Sequence, residues 1–206
     1  MKQTVFACVI LLLLVVMGCK SSSPKPIASP PASPATAAVQ IGSFAITDSS
    51  KKPFLTVVDA NGQCKVTAPS GDGTLKYGDG KVTISDTKGQ IVGIVKRDGE
   101  AYKLENATGA KVVKLSRKDG GFRLKDPAGN TLLKIKPRAN GFKIDDGAGK
   151  GVAKGKIKGN VLVLESEKGE RLFEISGTTA IITGIVLAKQ LSALQQAALM
   201  IAVGKL

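Results

Sequence analysis

The chain has 206 residues with no histidine and no tryptophan, and 30 Lys and Arg against 16 Asp and Glu give it a formal charge of +14. Without imidazole there is no Ser-His-Asp or Cys-His nucleophile system and no imidazole metal site, so zinc hydrolysis and most general-base mechanisms fit poorly. The length suits one domain with a sizeable core, and the expected protein is non-enzymatic and carries no cofactor.

The chain begins as a signal segment. Lys2 supplies a positive n-region, Val5 to Met17 is almost wholly apolar, and Gly18 is the small residue a cleavage site wants. With the following cysteine, Val16-Met17-Gly18-Cys19 resembles a bacterial lipoprotein lipobox. The resemblance implies cleavage before Cys19, diacylation of its thiol and acylation of its new amine. Residues 1–18 are then the signal peptide and Cys19 the lipidation site. An uncleaved membrane anchor, or an ordinary signal peptide with a chance cysteine, is the competing reading. If enterobacterial sorting rules apply, Lys20 directs the chain to the outer membrane, facing the periplasm. Of the three cysteines, Cys8 leaves with the signal and Cys19 becomes a thioether. Cys64 then stands alone, no intrachain disulfide forms, and a half-buried strand thiol is expected there in preference to a reactive one.

Residues 19–39 hold the modified cysteine and a tether. Lys20 to Val39 contains Ser21-Ser22-Ser23, five prolines and many alanines, with no apolar periodicity. At about 3.1 Å per residue in polyproline form, these twenty residues reach roughly 60 Å from a bilayer.

Residues 40–177 are dominated by a period of twenty. Gly89, Gly109, Gly129, Gly149 and Gly169 are evenly spaced, and three residues before them stand Asp86, Asn106, Asp126, Asp146 and Ser166. Upstream lie alternating apolar pairs such as Tyr102/Leu104, Phe122/Leu124 and Phe142/Ile144, the period-2 mark of a strand with one buried face. A second strand follows each glycine, so every unit reads as strand, four-residue turn, strand. Between units, Arg97-Asp98-Gly99, Asp119-Gly120-Gly121 and Asn140-Gly141 mark further hairpin turns. With a divergent unit from Phe44 and a short strand near Thr74–Tyr77, the region predicts an up-and-down meander of about twelve to fourteen strands that must close or cover its edges.

Thr178 to Val203 breaks the pattern: 26 residues rich in Ala, Leu, Ile and Gln, with no turn signal. Leu187, Leu191, Leu194, Ala198 and Ile201 form one helical stripe, so a helix over 178–203 is expected. It is long enough to span a bilayer, but Lys189, Gln190, Gln195 and Gln196 favour burial inside protein. A closed meander needs something apolar to fill it.

Hairpins like Phe122-Arg123-Leu124-Lys125-Asp126-Pro127-Ala128-Gly129, repeated twenty residues either side and followed by Thr178–Val203, resemble the tubby-like superfamily. The nearest branches are the LURP-one-related proteins and phospholipid scramblases. The resemblance implies an all-β fold, an antiparallel barrel of about twelve strands closed around a hydrophobic C-terminal helix. Tubby domains bind phosphoinositides and scramblases are credited with calcium-linked lipid movement, but fold alone assigns neither activity to this chain.

Three features suggest ligands and read better as turns. Gly71-Asp72-Gly73 and Gly78-Asp79-Gly80 offer one carboxylate each, too few for calcium. The column Asp86/Asn106/Asp126/Asp146 stands where Asx-turns need it. Gly147-Ala148-Gly149-Lys150-Gly151 lacks the spacing of a phosphate loop and opens no helix.

The lysines remain. Lys114, Lys134 and Lys154 are twenty apart, so a basic stripe is possible on the barrel wall. Losing Lys2 with the signal leaves 29 basic and 16 acidic residues. On an exported protein such a balance meets anionic lipid or envelope polymer; sparse aromatics argue against nucleic acid. The leading expectation is an envelope lipoprotein, held at the membrane by its acyl chains, whose basic barrel surface contacts those anions. A lipid-binding or lipid-transfer protein using the barrel interior and a structural subunit of an envelope assembly are the alternatives. A lysine-rich wall that serves only solubility is the plainest reading. Oligomeric state is left open.

Overall fold

A computed structural model of the protein describes residues 41–206. The signal segment, Cys19 and the tether expected over 19–39 lie outside the described residues. Fourteen antiparallel strands form a closed barrel in which each strand pairs with its sequence neighbours. They are β1 Phe44–Asp48, β2 Pro53–Ala60, β3 Gln63–Thr67, β4 Gly73–Gly78, β5 Lys81–Asp86, β6 Ile91–Asp98 and β7 Ala101–Asn106, then β8 Lys111–Lys118, β9 Gly121–Lys125, β10 Thr131–Arg138, β11 Gly141–Asp146, β12 Gly151–Lys158, β13 Val161–Ser166 and β14 Arg171–Ser176. The wall closes where β1 meets β14, with Ile46 opposite Ile175. Every strand edge within 41–206 is thus paired from within, and the core is filled from within too. This segment contains the contacts of a complete folding unit.

The twenty-residue repeat is a local device used again and again. Asp86 Oδ1 accepts from the amides of Lys88 and Gln90, both at 2.9 Å. Asn106 Oδ1 does the same for Thr108 at 3.0 Å and Ala110 at 2.9 Å. Asp126, Asp146 and Ser166 hold the matching amides of Asn130, Lys150 and Glu170. The divergent first unit repeats the motif through Asp48, which accepts from Ser50 and Lys52. The acidic column is turn chemistry.

A β-bulge follows every one of these turns. Glu105 faces Lys111 and Leu104 faces Val113, so Val112 has no partner. Val92, Leu132, Val152 and Leu172 are passed over in the same way. The extra residue shifts the alternation by one. Val113, Leu115, Leu133, Ile135 and Ala153 therefore face the core, and the residues between them face out.

The C-terminal stretch differs from the single helix expected over 178–203. A 3-10 helix, Ile181–Leu187, is followed by a break and then by α1, Ala193–Lys205. The break puts Lys189 and Gln190 at the surface. Ser192 restarts the chain through a capping box: its Oγ accepts from the Gln195 amide at 3.3 Å, and Gln195 Oε1 accepts from the Ser192 amide at 3.0 Å. Gln196 is buried beside the break, its Nε2 donating to the carbonyls of Val186 at 3.2 Å and Ala188 at 3.1 Å.

Both helices fill the barrel. Ala197 to Ala202 are 0% exposed on all sides, as a helix enclosed by a sheet requires. The 3-10 helix packs beneath β9–β11, and α1 beneath β2 and β4–β7. The packing leaves no slack at Gly155, where an added Cβ would stand 2.4 Å from Phe142 Cζ, or at Gly184, where one would meet Ile144 and Phe142 near 3 Å. Among the described residues no helix is long and apolar enough to cross a membrane.

Candidate functional site

The outer wall of β5–β12 is where positive charge gathers, and the bulges explain its placement. Lys114 in β8, Lys134 in β10 and Lys154 in β12 each stand one residue beyond a buried Val113, Leu133 or Ala153, so all three lie on the outer face. They are not one cluster. Lys114 is opposite Lys125 of β9, whereas Lys134 is opposite Arg123 of that same strand and Lys154 opposite Lys143 of β11. Intervening strands contribute their own cations, and each hairpin steps along the wall by two residues.

Cross-strand registry produces an unusual row. Lys81 faces Lys96, Lys96 faces Lys103, Lys103 faces Lys114, and Lys114 faces Lys125. Like charges directly opposite on neighbouring strands repel. Two carboxylates answer this row. Asp98 lies 2.8 Å from Lys103 Nζ and 3.6 Å from Lys114 Nζ, and Glu105 lies 2.6 Å from Lys96 Nζ. The Lys103 ammonium in turn holds the Asp98 carboxyl below its usual range.

Further along, Asp145 bridges the opposed Lys136 and Lys143. Its Oδ2 is 2.7 Å from Lys136 Nζ, and its Oδ1 faces Lys143 Nζ at 3.1 Å without hydrogen-bond geometry. The Asp145 side chain is buried, and the Lys136 hydrogen bond holds its pKa down against desolvation. Lys154 meets Glu167 at 3.0 Å, and Lys156 and Lys158 share Glu165. Lys134 faces Asp145 in register but, among the described residues, its Nζ reaches only the Gly147 carbonyl, at 3.5 Å.

Two surface clefts open on this wall. One, of about 200 Å³, is bordered by Lys118, Asp119, Arg123, Lys134, Lys136 and Arg138, with Pro137 and the edges of Phe122 and Ile135 as its apolar part. The other, of about 290 Å³, lies between Arg138, Lys143, Lys154 and Lys156 over Phe142 and Gly155. They meet at Arg138.

A second polar cluster ties the C-terminus to the β2–β3 hairpin. Asp59 Oδ1 accepts from Tyr77 Oη at 2.7 Å, and Asp59 Oδ2 lies 2.8 Å from Lys205 Nζ, which also sits 5.3 Å above the Tyr77 ring. Burial works to raise the Asp59 pKa, but the bonds from Lys205 and Tyr77 outweigh it and leave the carboxyl below its usual value. Cys64, 0% exposed, has its Sγ 3.6 Å from Asp59 Oδ1. Burial first, and the Asp59 charge second, push that thiol up to about 12. It stays protonated at neutral pH and is no nucleophile. Sequence reasoning passed over this cluster, because Asp59, Cys64, Tyr77 and Lys205 share no motif and meet only through the fold. Among the described residues no group of three or more His, Cys, Asp or Glu could hold a metal ion.

No family model matches the chain. No curated protein matches it either. Among solved structures, an X-ray structure of a protein from Arabidopsis thaliana is similar over 75% of this chain and 92% of that one, at 10% identity and a TM-score of 0.38. A likeness of that size carries no argument about what this chain does.

Proposed function

We propose that the protein is a non-enzymatic envelope lipoprotein, anchored by acyl chains on Cys19, whose basic barrel wall contacts anionic lipid or envelope polymer. The observation that carries this reading is the row Lys81, Lys96, Lys103, Lys114, Lys125, opposed strand by strand and matched by only two carboxylates among the described residues. A wall built for solubility alone has no need to stack like charges across successive strands, where they cost stability. An anionic surface reverses the sign of that cost, each lysine adding on the order of 1 kcal/mol near charged lipid. Carriage of lipid within the barrel has less support, because α1 and the 3-10 helix occupy the interior.

The test is sedimentation of residues 41–206 with anionic and neutral liposomes at low and high salt, wild type against Lys81/Lys103/Lys125→Gln, three members of that row. Binding needs anionic lipid, weakens with salt and drops in the triple variant. Salt-insensitive binding, or a variant that binds like wild type, returns these lysines to a solubility role. For the anchor, labelled palmitate enters the full chain and not Cys19→Ala.

A further inference from the structure

We infer that the cleft around Arg123 and Lys134 is a binding site for a terminal phosphate group, a phosphomonoester carried on a lipid headgroup or on a small soluble molecule. This deepens the surface-contact reading and rests on it for the setting in which the barrel meets such anions. The argument is one of neutralisation. Wherever else two cations stand opposite each other on this wall, at least one has a carboxylate. Lys103 and Lys114 share Asp98, Lys136 and Lys143 share Asp145, and Lys154 opposite Lys143 has Glu167. Lys81 and Lys125 face partners that are themselves paired, Lys96 with Glu105 and Lys114 with Asp98. Arg123 and Lys134 are directly opposed, and among the described residues neither has a carboxylate within salt-bridge distance; Asp145, which faces Lys134 from β11, is paired with Lys136 and Lys143 instead.

The exception coincides with a cavity. The cleft of about 200 Å³ opens over this pair, and Lys118 and Arg138, which also lack a carboxylate partner among the described residues, border it. Asp119 is the one acid on its rim. Arg123 and Lys134 are both half-buried, their stems covered by the wall. The volume falls below the roughly 300 Å³ where pockets for drug-sized apolar ligands begin, and suits a compact polar group. An arginine fork beside an ammonium point charge is the combination that takes phosphate oxygens, the first bidentately. Excess positive charge favours the near-dianionic monoester over the singly charged diester.

Two measurements on residues 41–206 test this. The first is co-sedimentation with phosphatidylcholine vesicles carrying phosphatidic acid, or phosphatidylglycerol at matched negative charge, for wild type, Arg123→Gln/Lys134→Gln and Lys65→Gln/Lys76→Gln. The last pair removes equal charge from exposed positions on β3 and β4, far around the barrel. The expected result is stronger wild-type binding to phosphatidic acid, a loss of about tenfold or more in the Arg123/Lys134 variant and at most about twofold in the control. The second is titration of the amide spectrum with glycerol phosphate and with glycerol, which should give saturable shifts in β9 and β10 for the phosphate alone. Saturation by glycerol phosphate as tight as by phosphatidic acid vesicles makes the ligand a soluble one; much tighter vesicle binding makes it a headgroup. Equal losses in both variants leave the charged wall standing and overturn the cleft. Failure of wild type to bind any anionic vesicle overturns the surface-contact reading, and absence of shifts at β9 and β10 overturns the phosphate site. A melting temperature of Arg123→Gln/Lys134→Gln equal to or above wild type shows that its loss is not unfolding, since the substitution removes a repulsion.

Discussion

Raising the pH should destabilise the barrel through Cys64, and the size of the effect follows from its surroundings. The thiol is 0% exposed beside the Asp59 carboxylate, and its pKa moves from 9.0 to about 12. Between those values the folded chain keeps a proton that the unfolded chain has released, so stability falls as pH rises. At pH 11, two units above the unfolded value, the loss is about 3 kcal/mol at 1.36 kcal/mol per unit. Cys64→Ala cannot suffer it, but leaves a small void that costs about 1 kcal/mol at any pH. Urea unfolding of residues 41–206, followed by far-UV circular dichroism, should therefore show a crossover. Wild type is the more stable at pH 7 by about 1 kcal/mol, and the variant is the more stable at pH 11 by about 2 kcal/mol. Ionisable groups remote from Cys64 are common to both proteins and cancel in the comparison. A gap that keeps its sign and size from pH 7 to 11 would refute the argument, because the thiol would then titrate alike in both states.

Gly155→Val should destabilise by about 1–3 kcal/mol in the same urea assay, because the new side chain meets the fully buried Phe142 ring; adding Phe142→Leu should recover part of the loss. Removing residues 193–206 should leave a chain with poorly dispersed amide resonances that aggregates in size-exclusion chromatography. A soluble, well-dispersed barrel without α1 would mean that the helix is no part of the core.

Much of the architecture was legible because the repeat is local. Each turn is made by one Asp, Asn or Ser binding amides two and four residues on, and a contact that short leaves its mark in the sequence as a fixed spacing to glycine. The outward placement of Lys114, Lys134 and Lys154 was also within reach, since Val112, Leu132 and Val152 can be passed over as bulges. The division of 178–203 was missed although it had a signal: Ser192-Ala193-Leu194-Gln195 is a capping box inside a run that hydropathy alone treats as continuous. The polarity of Gln196 favours burial in protein over lipid, and only the fold supplies its partners, the Val186 and Ala188 carbonyls beside the break.

What the amino-acid order determined by itself is the hairpin, its turn and its inward face, because those depend on residues within about one repeat of each other. The tertiary structure alone decided that β14 returns to β1, that Asp59 and Lys205 meet, and that Asp98 and Asp145 each serve two lysines. It also decided that Arg123 and Lys134 are opposed with no carboxylate between them. Those pairings follow from the register between strands and from the closing of the barrel around α1. A register is set by the sum of all the side chains that one face must bury, and no single spacing in the chain records it.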